Sequence, residues 1–110
     1  MSYLIRGMAG DGGIRVVAAD TTKLVREAVE RHEATPTAGA VLGRTLTGAL
    51  MLAHVLLKNP QDRVTVRISG DGPVGGVIAD AGLDGKVRGY VKNPEVHLQL
   101  READGKLDVG

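Results

Sequence analysis

The residues with the spacing of a chemical motif lie in one short segment. Gly70-Asp71-Gly72-Pro73-Val74-Gly75 matches G-x-G-x-x-G and follows a strand-like run. A dinucleotide site needs a helix to open directly after such a loop, so that the helix N-terminus can hold the pyrophosphate. The residues after it, up to Asp80, alternate as a strand does, with Gly82 close behind, so the segment reads as a hairpin turn. No G-x-x-x-x-G-K-[ST] is present, which removes the P-loop. The histidines are His32, His54 and His97, none spaced four apart from another. His54 is expected as a buried neutral side chain with one hydrogen bond. His32 is expected near a helix C-terminus, and His97 on a solvent-facing strand position. The only serines are Ser2 and Ser69, and Ser69 lacks the preceding glycine of a nucleophile elbow. Asp71, Asp80 and Asp84 are expected at turns, where the carboxylate bonds local backbone. With no cysteine there is no thiol nucleophile, disulfide or thiolate metal site. No catalytic, cofactor-binding or metal-binding residue is assigned.

Composition narrows the classes further. The 110 residues suit one domain. The net charge of +1 offers no strong field for nucleic acid or an anionic membrane. Tyr3 and Tyr90 are the only aromatics, too few for a base-stacking platform, and the core must be aliphatic. The N-terminus lacks the pattern of a signal peptide. The uncharged run Thr45–Leu57, thirteen residues, is shorter than the ~20 of a membrane span. The expectation is a soluble intracellular protein without membrane or nucleic-acid partners.

Four Asp-Gly pairs punctuate the chain at Asp11, Asp71, Asp84 and Asp104, and should supply the positive φ angles of tight turns. Strands are expected at Leu4–Met8, Ile14–Ala19, Val64–Ser69, Val74–Asp80, Val87–Val91 and Val96–Arg101, with a further element starting at Lys106. The first two form a hairpin and the others a meander. A helix is expected over Thr22–His32, capped by Asp20 or Thr21, with Leu24, Val25, Ala28 and Val29 as its apolar stripe and Glu27–Arg31 as an i,i+4 ion pair. Thr35-Pro36 opens a second helix, Thr37–Leu57, which is apolar on all sides after Arg44 and should be buried all round. Gly39 and Gly43 leave bare backbone on one face of it. A single sheet covers only one side, so another layer must meet the other. The fold class is therefore α+β: a layered β/α/β-type domain with an antiparallel meander packed on a largely buried apolar helix. Alternation also makes the outer sheet face polar and basic, through Thr65, Arg67, Arg88, Tyr90, His97, Gln99 and Arg101, and a solvated face explains it better than an anion site.

Several separated motifs carry a resemblance. Arg31-His32-Glu33-Ala34-Thr35-Pro36-Thr37-Ala38 with Ala40-Val41-Leu42-Gly43-Arg44-Thr45-Leu46-Thr47 resembles the central-helix region of the redox-regulated heat-shock protein 33 family, bacterial holdase chaperones. Leu57-Lys58, Gly70-Asp71-Gly72-Pro73 with Gly75, Ala79 and Asp80, then Val87-Arg88-Gly89-Tyr90-Val91-Lys92-Asn93-Pro94 and Gly105-Lys106-Leu107-Asp108-Val109 continue it in order.

The resemblance implies an ATP-independent chaperone that binds unfolding client proteins under oxidative or heat stress, is active as a homodimer in the bacterial cytoplasm, and is not an enzyme. It also implies a C-terminal zinc domain with four cysteine ligands as a redox switch. Without cysteine, zinc and redox sensing map onto no residue here. Residues 1–110 are expected to be the N-terminal portion of one chaperone folding domain, lacking that domain's remainder and the zinc domain. Exposure of the Leu46–Leu57 helix would then favour dimerisation, exchange of elements between subunits, or aggregation. Capture would be hydrophobic; no client-contacting residue is assigned. The alternatives are a small-molecule or nucleotide-binding enzyme using the Gly70–Gly75 turn, which nucleotides would stabilise in a thermal-shift screen, and an inert dimerisation module.

Overall fold

The computed structural model describes residues 2–84 and 86–95. Gly85, the expected strand Val96–Arg101 with His97, the Asp104-Gly105 turn and the element from Lys106 lie outside the described residues. The order is β1 (Ser2–Ala9), β2 (Ile14–Thr21), α1 (Thr22–Arg31), α2 (Pro36–Leu56), β3 (Arg63–Ser69), β4 (Gly76–Gly82) and β5 (Val87–Val91). β1 and β2 form a separate antiparallel hairpin, and β3, β4 and β5 form an antiparallel sheet in that order. The α+β class and the meander stand as the sequence implies.

Local chemistry explains the boundaries. The β1–β2 turn has three consecutive positive φ values, at Gly10 (62°), Asp11 (56°) and Gly12 (86°), and closes with a 3.0 Å bond from Gly13 N–H to the Gly10 carbonyl. At the Gly70–Gly75 segment the positive φ falls on Gly75 (87°), not on the Asp71-Gly72 pair. That loop still contains Val74, expected as strand, because β4 begins only at Gly76. Val74 is nevertheless buried, so its apolar character reports a loop anchor. Thr21 is the N-cap residue of α1 but makes no side-chain cap bond. Asp20 does that work instead, accepting from the Thr22 N–H (3.0 Å) and hydroxyl (2.7 Å). The Thr22 hydroxyl, then its N–H, hold the Asp20 carboxyl below the usual carboxylate range. Thr35 caps α2 by accepting from the Ala38 N–H, with Pro36 at the first helical position.

The core is aliphatic and centred on α2. Leu42 and Leu46 are fully buried against Ala79, Ala81, Val77 and Val91 of the three-stranded sheet. The half-buried stripe of α1 packs beside them, through Leu24 and Ala28. Gly39 and Gly43 are where α1 comes close. A Cβ at Gly43 would stand 2.7 Å from Val25 Cγ1, and one at Gly39 would stand 3.2 Å from Val29 Cγ2. The close approach expected of this face therefore belongs to α1. Gly43→Ala is expected to cost about 1–2 kcal/mol through overpacking, even though alanine raises helix propensity. Urea unfolding checks it, and Val25→Ala in the same background should restore most of the loss.

Two expectations change. α2 is not buried all round: ten of its residues are buried, while Leu52, Val55 and Leu56 near its C-terminal end are exposed. The sheet, α1 and the hairpin cover three sectors and leave this end open. The helix also passes, by length and composition, as a membrane span, longer than its uncharged run suggests, but its packing is that of a core helix. Second, Glu27 and Arg31 form no ion pair: among the described residues, the ion pairs join Arg63 and Arg88 to Asp80 and Arg63 to Asp84. Both side chains of that expected pair are exposed, where such a contact is worth only a few tenths of a kcal/mol.

Candidate functional site

The G-x-G-x-x-G segment is occupied by its own chain. Asn93 donates through Nδ2 to the Pro73 carbonyl (2.8 Å) and through its backbone N–H to the Val74 carbonyl (3.2 Å). The next element is β4, so no helix N-terminus faces the loop. A Cβ on Gly75 would meet Lys92 Cδ at 2.9 Å, so this glycine serves packing as well as the turn. The hairpin-turn reading stands, and nothing in the loop geometry favours a nucleotide.

The other sequence-selected side chains do not converge. His32 is the C-cap residue of α1. Ser69 ends β3, whereas Ser2 begins β1 in the other sheet. His54 is half-buried and its Nδ1 is buried without a hydrogen-bond partner, contrary to the satisfied core histidine expected. Among the described residues no group of His, Asp and Glu could hold a metal ion. With no cysteine in the chain, the zinc implied by the resemblance does not fit these residues, and no step here runs through it.

Asp80 also departs from expectation. It lies inside β4, on the outer sheet face, not at a turn. β4 is the central strand, which puts Asp80 between Thr65 and Arg88 in register. Arg63 Nε donates to its Oδ2 at 2.7 Å, the Thr65 hydroxyl donates to Oδ1 at 3.3 Å, and Arg88 Nε stands 3.6 Å away. The Arg63 hydrogen bond is the main cause that holds the Asp80 carboxyl below its ordinary range. Two of the face's arginines are thus committed to one carboxylate. The face is polar, as alternation requires, and part of its charge is paired within the sheet. Asp84 does sit at a turn, accepting from the Lys86 N–H at 3.0 Å.

The surface that stands out is apolar. In the β1–β2 register, Tyr3 opposes Asp20, Ile5 opposes Ala18, Gly7 opposes Val16 and Ala9 opposes Ile14. Tyr3, Ile5, Ile14 and Val16 therefore share one face, and each is half exposed or more, with Ile5 at 61%. The opposite face carries Leu4, Val17 and Ala19, half-buried toward α2. Thr21 ties the hairpin to α2 through a 2.6 Å bond to Thr47. The Thr47 hydroxyl already donates to the Gly43 carbonyl, so Thr21 is the donor. A hairpin with one face on a core and one in water normally alternates apolar and polar. This one carries apolar side chains on both faces, with Arg6 and Arg15 on the α2 side. Its runs Tyr3-Leu4-Ile5 and Val16-Val17-Ala18-Ala19 carry that signal, since unbroken apolar strands are the signature of two-sided burial.

Known proteins of similar sequence and fold carry the name 33 kDa chaperonin. The family model described as Hsp33 protein matches residues 2–110. A 33 kDa chaperonin of Thermus thermophilus is 56% identical over 110 residues, covering all of this chain and 32% of the relative. A 33 kDa chaperonin of Microcystis aeruginosa is 60% identical over 107 residues, covering 97% of this chain and 34% of the relative. The crystal structure of the 33 kDa chaperonin (heat shock protein 33 homolog) of Thermotoga maritima superposes with a TM-score of 0.89 at 36% identity, over 97% of this chain and 37% of that one. The chain thus spans about a third of the length of the relatives it matches. With the family model matched across nearly every residue, and with the same arrangement of strands and helices in a solved relative, the chain belongs to the Hsp33 family.

Proposed function

We propose that this chain contributes client-binding surface to an ATP-independent holdase, which keeps unfolding proteins from aggregating under oxidative or heat stress. The observation that carries the reading is the outward face of the β1–β2 hairpin, where Tyr3, Ile5, Ile14 and Val16 are exposed together. Monomeric proteins rarely leave large contiguous apolar patches in water, and those that do use them for contact. Burying about 300 Å² of such surface gives roughly 7 kcal/mol gross, before the cost of association. That suits reversible capture of many sequences. No bond is made or broken, so the role needs no catalytic group and the chain is not an enzyme. Residues 1–110 form the N-terminal portion of one folding domain, whose remainder and zinc-binding redox switch lie elsewhere in the whole protein. That protein works in the bacterial cytoplasm as a homodimer; the open α2 surface at Leu52 and Leu56 supports an additional covering layer.

A chemically unfolded client, diluted into buffer without ATP, tests the proposal by light scattering. The chain should suppress aggregation at near-stoichiometric amounts. Ile5→Asp with Val16→Asp should weaken suppression several-fold while far-UV circular dichroism is unchanged. Equal suppression by that variant, or none by the parent chain, would overturn the assignment to the hairpin.

A further inference from the structure

The face of the hairpin turned toward α2 carries a second feature that client capture does not use. In the register Arg6 opposes Val17 and Met8 opposes Arg15, so both arginines lie on the same face as Leu4 and Ala19. They project past the covered part of that face toward the C-terminal end of α2. There they line a cleft of about 490 Å³ with His54, Leu57 and Lys58. That size lies in the range of small-ligand sites, which run to roughly 300–1,000 Å³. It is too small for a folded partner.

The charge in this cleft is one-sided. Arg6, Arg15 and Lys58 bring three cations, and no Asp or Glu lines it. None of the three forms an ion pair among the described residues. The end of α2 offsets part of this: Arg15 donates to the Val55 carbonyl at 3.4 Å. A helix terminus supplies only about half an elementary charge of the opposite sign. Most of the positive charge is therefore uncompensated, and it sits beside Val17, Val55 and Leu57. His54 lines the same cleft, and its Nδ1 bonds to nothing. Cations and apolar walls together describe a receptor for one anionic head on a short hydrocarbon chain.

We propose that the cleft between the β1–β2 hairpin and the C-terminal end of α2 binds a small carboxylate carrying an apolar chain. Arg6 and Arg15 take the carboxylate, a group that guanidinium matches in geometry and charge. Lys58 adds a further charge at the opening, and the chain lies on Val17 and Leu57.

Titration of the chain with decanoate, well below its micellar concentration, tests this by amide NMR shifts. Saturable one-to-one shifts confined to β1, β2 and the end of α2 are expected. Decanol, which has the chain without the charge, and inorganic phosphate, which has charge without the chain, should both give no saturable shifts. Arg6→Gln with Arg15→Gln should weaken decanoate roughly tenfold or more, as loss of charged hydrogen bonds implies. Lys58→Gln, on a different element, should weaken it less and keeps the test available if the double variant does not fold. Arg67→Gln, in β3, should change nothing. Equal binding of decanol or of phosphate, no saturable decanoate shifts, or undiminished binding by folded Arg6, Arg15 and Lys58 variants would each overturn the proposal.

Discussion

Leu46→Ala should remove about 3–5 kcal/mol of stability. Leu46 is 1% exposed and lies where α2 crosses the three-stranded sheet. With no Phe or Trp in the chain, Leu42 and Leu46 are, among the described residues, the largest fully buried side chains, and their neighbours include Ala79 and Ala81. Alanines cannot swing in to fill a hole, so the cavity persists and its cost is added to the lost transfer energy. A small domain has only about 5–15 kcal/mol in total. Urea unfolding should show a large fall in midpoint with an unchanged slope. Leu52→Ala, one helix face away and 41% exposed, should cost under about 1 kcal/mol by comparison. A Leu46→Ala loss as small as that would mean the core collapses onto the site.

Gly89→Ala should be as damaging for the opposite reason. Gly89 pairs with Ala79 in the middle of β5. A Cβ there lands on the Ile78 carbonyl oxygen, 3.0 Å from Ala79 Cα and 3.1 Å from Leu46 Cδ2. Two of those three neighbours are backbone of the central strand, held at ladder spacing, and cannot step aside. The added methyl should cost about 3 kcal/mol, the upper end for overpacking, and its relief requires β5 to leave the sheet. Thermal unfolding together with hydrogen exchange of the β5 amides checks both parts. The Leu46→Ala change in the same chain should recover only part of the loss, because it frees the leucine methyl and leaves the carbonyl in place. Such non-additivity is expected of residues in contact. Full stability of Gly89→Ala would show that the strand register is looser than the pairing indicates.

The elements are legible in the residues because local signals agree. Pro36 after Thr35 sets the start of α2 to within a residue, and alternation sets β3 and β5. Gly39 and Gly43 announce a close contact, though only the tertiary fold says that Val25 and Val29 make it. Where expectation and structure part, long-range placement decides. Asp80 has the composition of a turn residue, but Arg63 and Arg88 from neighbouring strands hold it in mid-sheet. The apolar circumference of α2 suggests complete burial, yet burial depends on what lies opposite, and nothing among the described residues lies over Leu56. The exposed hairpin face is visible in the sequence as an unbroken apolar run. Strand content alone does not reveal its meaning, which lies in the face each residue turns to.

Among the described residues, the hairpin shares no ladder with the other strands. A lone two-stranded ribbon is marginal in water, so the hairpin stays in place through the contact of β2 with α2, that of β1 with α1, and the Thr21–Thr47 bond. Detaching them breaks none of the β3–β4–β5 pairing. It can therefore occur as a sub-global opening, well below the free energy of complete unfolding. Each opening would wet Leu4, Val17 and Ala19 together with the side of α2 they cover. The molecule would then offer fresh apolar surface on both the ribbon and the helix while its main sheet stayed folded.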